Sequence, residues 1–480
     1  MSVAPVKARL NRLALAFSTL ALIATAQAQT LAANEADLAA LESGDKDLLY
    51  YFNKGELLRN KGAFEPSREA WLAADTQVRA WEEDVKVNGA KILGDIGSFI
   101  LNDTTRRYDG RDYEKVFVNV RIALDHLALG DWNAARTEIK KMHEREAIIA
   151  EFRSKELEAA KGAAEAKGIK TTSFKELNGY PIETLEAPEV QALKNSYESA
   201  YANYLAGFVY EALGEPSLAA AGYRKANEMR PGDPVLEDSL KGLDARAKKS
   251  RAKKDQVDVL ILVESGNAPK IDSVTLPIPL PIISKGGVSM VMTPISWPVI
   301  RPNDNSVVPA TVTVNDKDLP LSLLTSTDLM ARRALSDEMP GIIFRSGVRA
   351  IAKGVAQKAV QDNAGSLGVF GAVLSVAASA VAVATEKADT RSWNTLPGFY
   401  SVTRTTLPAG SHKISVRTNL GIETRDVQLS GPYAVVALRT GNGLALAQTP
   451  YVAAPTVTIA DPVPAETPAA PAKEGKKKKG

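Results

Sequence analysis

The chain has no cysteine and only three histidines in 480 residues. The first absence excludes disulfides, thiol nucleophiles and thiolate metal sites. The second leaves His126, His143 and His412, and neither His126 nor His143 has a third ligand near it in sequence, so no metal site is expected. An excess of one charge is missing too. Interspersed acidic and basic residues leave a net +3, which argues against nucleic acid as a partner. There is no Gly-rich phosphate loop ending in Lys-Ser/Thr, no H-E-x-x-H, no G-x-S-x-G and no S-x-x-K with its companions. Paired carboxylates such as Glu82/Glu83 and Asp109/Asp112 arise by chance in a chain this rich in acids. These absences predict no catalysis and no cofactor, and leave a protein that holds other proteins.

What is present is a recurring helical-hairpin frame. In Ala202 to Pro231, small Gly207 sits where two helices meet, and Tyr210 packs one turn further on. Gly214 ends the first helix, and Glu215-Pro216-Ser217 starts the second. Ala219 permits a close crossing, Tyr223 and Ala226 continue the apolar stripe, and Pro231 stops it. Gly55, Leu58, Gly62, Trp71 and Ala74 fall at the offsets of Gly207, Tyr210, Gly214, Tyr223 and Ala226; Ala123, Gly130, Ala135, Ile139 and Met142 repeat the frame. This is the pattern of tetratricopeptide-type units, with long insertions between them. A generic helical bundle sharing the turn glycines is the alternative. The frame is expected to put Gly55, Gly130 and Gly214 at equivalent hairpin corners. It would present Asn119, Trp132, Tyr204 and Tyr210 as partner-binding residues on a concave shelf.

The expected fold class is α+β: an α-helical tetratricopeptide-like domain over 46–246, then a β-rich domain over 257–449. Val257 to Glu264 reads as a buried strand, and the proline-punctuated runs after it as edge strands. Val314 to Lys317 reads as a hairpin turn. Helix returns over Thr327 to Asn363 with a break at Pro340-Gly341. The uncharged Ala364 to Ala384 is read as an apolar helical segment inserted in this domain; the rival reading is a structural component that embeds in a membrane and oligomerises through it. Arg391 to Gln448 reads as a small β-sandwich-like module. The basic run between Gly242 and Gln256 reads as a solvated helix end or linker. The Pro/Ala/Lys tail over 450–480 is expected to be disordered, with Lys476 to Lys479 solubilising it or touching an anionic membrane surface.

The first 28 residues read as a signal peptide: Lys7, Arg9 and Arg12, an apolar Leu13 to Thr25, and a small-x-small site at Ala26-Gln27-Ala28. The expected destination is the bacterial periplasm.

Three segments, RRYDGRDYEKVFVNVRIALDHLALGDWNAARTE (Arg106 to Glu138), VDVLILVESGNAPK (Val257 to Lys270) and ADTRSWNTLPGFY (Ala388 to Tyr400), resemble signatures of an uncharacterised family of tetratricopeptide-containing envelope proteins of Gram-negative bacteria. Its members are typically lipoproteins, often encoded near a lipoprotein similar to the activators of penicillin-binding proteins. The resemblance implies an adaptor in envelope or peptidoglycan-related assembly, associated with the outer membrane, with a protein or peptide partner. This chain lacks the lipid-bearing cysteine of that family, which favours a soluble form. Within the first segment, Tyr108-Asp109-Gly110 reads as a turn, with Asp109 capping the helix that follows. Glu114, Lys115 and Asn119 share one face of that helix, where Asn119 could grip an extended backbone. Arg391 and Trp393 read as a packing or cation–π anchor between the apolar helix and the final strands.

Overall fold

The computed structural model describes residues 36–94, 107–166, 180–248, 255–284, 287–301, 306–364, 388–441 and 443–450. The signal peptide over 1–28, the apolar segment beyond 364, most of the basic run and the tail from 451 lie outside the described residues. Among the described residues, no helix is long and apolar enough to cross a membrane.

The chain is α+β, with helices first and a β-rich part after them. Helices α1 (Leu48–Asn60) and α2 (Phe64–Gly94), α3 (Asp112–Ala128) and α4 (Trp132–Ala166), and α5 (Ala200–Ala212) and α6 (Pro216–Met229) make three hairpins; α7 (Pro234–Lys248) packs on α6. The three corners are built alike. Gly62, Gly130 and Gly214 have φ of 76°, 84° and 76°, the left-handed region where a β-carbon clashes and glycine does not. Gly55 is not a corner. It lies within α1, where an added Cβ would run into the indole of Trp71 on α2. Its counterpart Gly207 faces Tyr223, whose Cδ1 an added Cβ would meet at 2.5 Å. The shared offsets thus correspond to shared contacts, and Gly62 is the corner of the first hairpin.

The β part is two stacked sheets. One has five strands in the order β11 (Ala445–Gln448), β10 (Tyr433–Arg439), β1 (Gln256–Asn267), β7 (Pro397–Pro408), β6 (Ser322–Ser326). The other has four, in the order β5 (Lys317–Pro320), β4 (Thr311–Val314), β8 (Gly410–Thr418), β9 (Gly421–Leu429). Strand β1 runs parallel to β10 and antiparallel to β7, so it is central. That position explains its unbroken apolar run. Val257, Val259, Ile261 and Val263 face the four-stranded sheet, and Leu260 and Leu262 face the helices. Burial from both sides makes three layers: helices, sheet, sheet. The expected module over Arg391 to Gln448 is therefore incomplete by itself, because β1, β4, β5 and β6 complete its sheets. Asn315 and Asp316, at φ 47° and 67°, form the turn between β4 and β5.

Strands β2 (Ile271–Ser284) and β3 (Gly287–Ile300) form a separate two-stranded ribbon. Pro277, Pro279 and Pro281 are spaced by two, so all three turn the same backbone edge outward. Pro277 is paired with Pro294 and Ser273 with Pro298, which puts the prolines of β3 in the same register. Each missing N–H therefore falls on a free edge, where the ladder does not need it. The ribbon packs on α8 (Thr327–Ala364). This helix runs through Pro340 without the expected break.

Candidate functional site

Residues of 106–138, 257–270 and 388–400 meet at one buried polar junction between helices and sheet. Arg121 of α3 is fully enclosed, donating from Nη1 to Glu264 of β1 at 2.6 Å and from Nη2 to Glu56 of α1 at 3.2 Å. Tyr201 of α5 also donates to Glu264, at 3.0 Å, and its ring lies 4.6 Å from that of Tyr400 on β7. Burial works to raise the Glu264 carboxyl, but Arg121 and its neighbouring guanidiniums hold it below the usual carboxylate range. Glu56, with weaker contacts, is pushed up by burial. Arg59 pairs with Asp125 beside them.

Alongside, Trp393 has no exposed surface, stacks on Phe52 at 4.4 Å and meets the tilted ring of Trp71 at 5.1 Å. Its backbone N–H donates to Glu114 at 2.7 Å. Arg391 lies 5.3 Å over the ring of Tyr108. These two residues make a packing core around Trp393 with a cation–π contact beside it, but their partners are on the first hairpin and the 107–112 turn; the apolar segment expected as a partner lies outside the described residues. Arg391 and Trp393 thus fasten residues 388–400 to residues 106–138.

An open cleft of about 580 Å³ lies against this junction, lined by the 107–112 turn, α2, α4, residues 195–197 and α8. Its apolar wall is Trp81, Tyr108, Phe152 and Tyr197. Gly110, at φ 80°, turns the chain into α3. Asp109 does not cap that helix: it accepts from Arg107 at 2.7 Å. The N-cap is Arg111, whose backbone N–H donates to Glu114 at 2.8 Å. Asp112 accepts from Arg153 at 2.6 and 3.0 Å and from Lys115 at 3.2 Å. Burial opposes its charge, yet these cations draw its pKa down to about 2. Lys115 is lowered, chiefly by burial, and its ammonium sits 3.7 Å from the ring centroid of Trp81. Arg111 reaches Glu338 of α8 at 2.7 Å.

The residues expected on a partner-binding shelf lie elsewhere. Asn119 is fully buried; it donates to Glu138 at 2.9 Å and accepts from Arg145 at 2.7 Å, so its amide faces the protein interior and is closed to a peptide. Tyr204 is buried with its hydroxyl 2.7 Å from Ser239. Tyr210 is buried as well, and Trp132 is partly buried, 6.5 Å from Phe208. The physical reason is that the chain fills its own shelf. Tyr400 of β7 and Tyr433 of β10 meet Phe117, Tyr201 and Phe208 at 5.0, 4.6 and 5.7 Å, and Arg404 covers Phe208 at 4.9 Å. Of the four, none lines the cleft. Sequence reasoning did single out the segment that does, Arg107 to Lys115, but it could not pair Arg111 with Glu338 or Arg153 with Asp112. Among the described residues, no group of three or more His, Asp or Glu side chains is arranged to hold a metal ion.

No family model, curated protein or solved structure matches the chain. The site is therefore read from its own chemistry.

Proposed function

We propose that this protein is a non-catalytic adaptor of the bacterial envelope, exported to the periplasm, that holds an extended segment of a protein partner in the cleft beside the 107–112 turn. The three hairpins are read as degenerate tetratricopeptide-type units whose inner face binds the protein's own sheet. The cleft carries the reading. It joins aromatic rings to a wall of charged groups held by ion pairs, the combination that grips a peptide by its side chains. The glycine corners and the Gly55–Trp71 and Gly207–Tyr223 contacts support the repeat assignment.

The test is site-specific photo-crosslinking in the native bacterium. A photoreactive residue replacing Leu157, which lines the cleft and is 38% exposed, should give one discrete adduct in the periplasmic fraction. The same residue replacing Val87, 80% exposed and outside the cleft, should not. Equal labelling at both positions, or a chain retained in the cytoplasm, would overturn the proposal.

A further inference from the structure

We propose that the inner end of the cleft takes a carboxylate of the bound peptide, held by Lys115 and Arg111. This rests on reading the cleft as a peptide site and adds its selectivity.

The argument is a balance of donors and acceptors. The Lys115 side chain is only 1% exposed. Of its three N–H groups one reaches a protein acceptor, Asp112, at 3.2 Å, while the cation faces Trp81. Arg111 donates through Nη1 to Glu338, and its Nε is buried with no partner. Of the acceptors close by, Asp112 and Glu114 are engaged several times over, and Glu338 takes Arg111 Nη1. Asp112 takes two N–H groups from Arg153 as well as the one from Lys115. Glu114 takes the Tyr108 hydroxyl and the backbone N–H groups of Arg111 and Trp393. Carboxylates line the cleft as well, but their present geometry leaves Arg111 Nε and two of the Lys115 N–H groups without a protein acceptor.

Buried donors without acceptors are costly, and a desolvated ammonium more so. A carboxylate answers both needs, because it only accepts and it carries the opposite charge. An amide carbonyl offers an acceptor without the charge. Lys115 and Arg111 flank the first turn of α3, so both can address one group. Trp81, Tyr108, Phe152 and Tyr197 then cover the apolar part of the ligand. The carboxylate has two sources, a chain terminus or an acidic side chain.

Affinity selection with mass-spectrometric readout separates them. The probes are three pools of N-acetylated random hexapeptides: acid-free with a free C-terminus, acid-free and amidated, and amidated with one internal glutamate. The full-length protein should enrich one carboxylate-bearing pool over the acid-free amide pool by about tenfold or more, as expected for a charge-assisted hydrogen bond. The winning pool identifies the source. Lys115→Met should abolish the preference. Arg111→Lys, which keeps the charge and removes Nε, should reduce it severalfold, and serves if Lys115→Met does not fold by its thermal melt. Equal recovery of all three pools overturns the carboxylate assignment and leaves peptide binding intact. Recovery of none overturns both.

Discussion

Replacing Arg121 by methionine tests whether the junction between helices and sheet is an ionic lock. The side chain is fully enclosed and supports two carboxylates, Glu264 at 2.6 Å and Glu56 at 3.2 Å. Arg121→Met keeps most of the volume and strands both. Tyr201 would still donate to Glu264, and Arg439 would stand 3.6 Å from Glu56, so neither acid is wholly abandoned. Breaking a buried pair in this way costs about 3–5 kcal/mol, against a total stability typically of about 5–15 kcal/mol. The sign of the pH dependence follows from the two acids. Glu264 is held below its unfolded value by Arg121, so its contribution is present above about pH 4.3 and is lost as pH falls through its folded pKa. Glu56 is raised by burial, so its ionisation already opposes folding as pH rises above its unfolded value. Without Arg121 both acids move up, and protonation relieves the strain. Urea unfolding at pH 7 and pH 5 should therefore show a large deficit that shrinks at the lower pH. Replacing Glu56 and Glu264 together with Arg121 by apolar residues should recover at least half of it. A variant within about 1 kcal/mol of the parent at pH 7, below the cost of a stranded charge, or a deficit equal at both pH values, would refute the argument.

Other expectations are as specific. A Cβ on Gly222 would lie 2.8 Å from Asn203 O and from Gly207 N, both backbone atoms. Gly222→Ala should therefore lose roughly 1–2 kcal/mol even after its gain in helix propensity, whereas Gly162→Ala, with open space around it, should gain about 1 kcal/mol; denaturant midpoints compare the two. Trp393→Ala should cost about 3–5 kcal/mol and uncouple the 107–112 turn from the sheet, which hydrogen exchange at that turn would reveal. Asp112, with a pKa near 2, contributes stability that is present above about pH 4 and is lost as pH falls toward 2. Asp112→Asn should then lower stability at pH 7 by roughly 2–3 kcal/mol and flatten the acid limb of a pH–stability curve. Replacing Pro277, Pro279 and Pro281 by threonine restores three outward N–H groups on β2 and should raise self-association in light scattering.

Local chemistry was legible before any coordinate. The corners at Gly130 and Gly214, the Asn315-Asp316 turn and the apolar run of β1 each answer to steric or burial demands carried by a few neighbouring residues, so their types and spacing sufficed; the first corner, expected at Gly55, lies at Gly62. The proline spacing of the ribbon likewise announces free edges. The site was legible only as a stretch of chain. Within Arg107 to Lys115 the sequence marks a turn and a helix start, but Asn119, on the same helix, was read as exposed because a helical face has no inside until something packs on it. Arg145 and Glu138 of α4 supply that packing.

What the sequence alone determined is therefore the kind and order of elements: helical hairpins, then strands. The tertiary structure decided which faces stay open. Strands β7 and β10 cover the aromatic side of the hairpins because Tyr400 and Tyr433 bury more surface there than in water. Ion pairs spanning hundreds of residues, such as Arg111 with Glu338, then shape the one cleft described above. Such pairings depend on distance in space, and spacing along the chain carries no record of it.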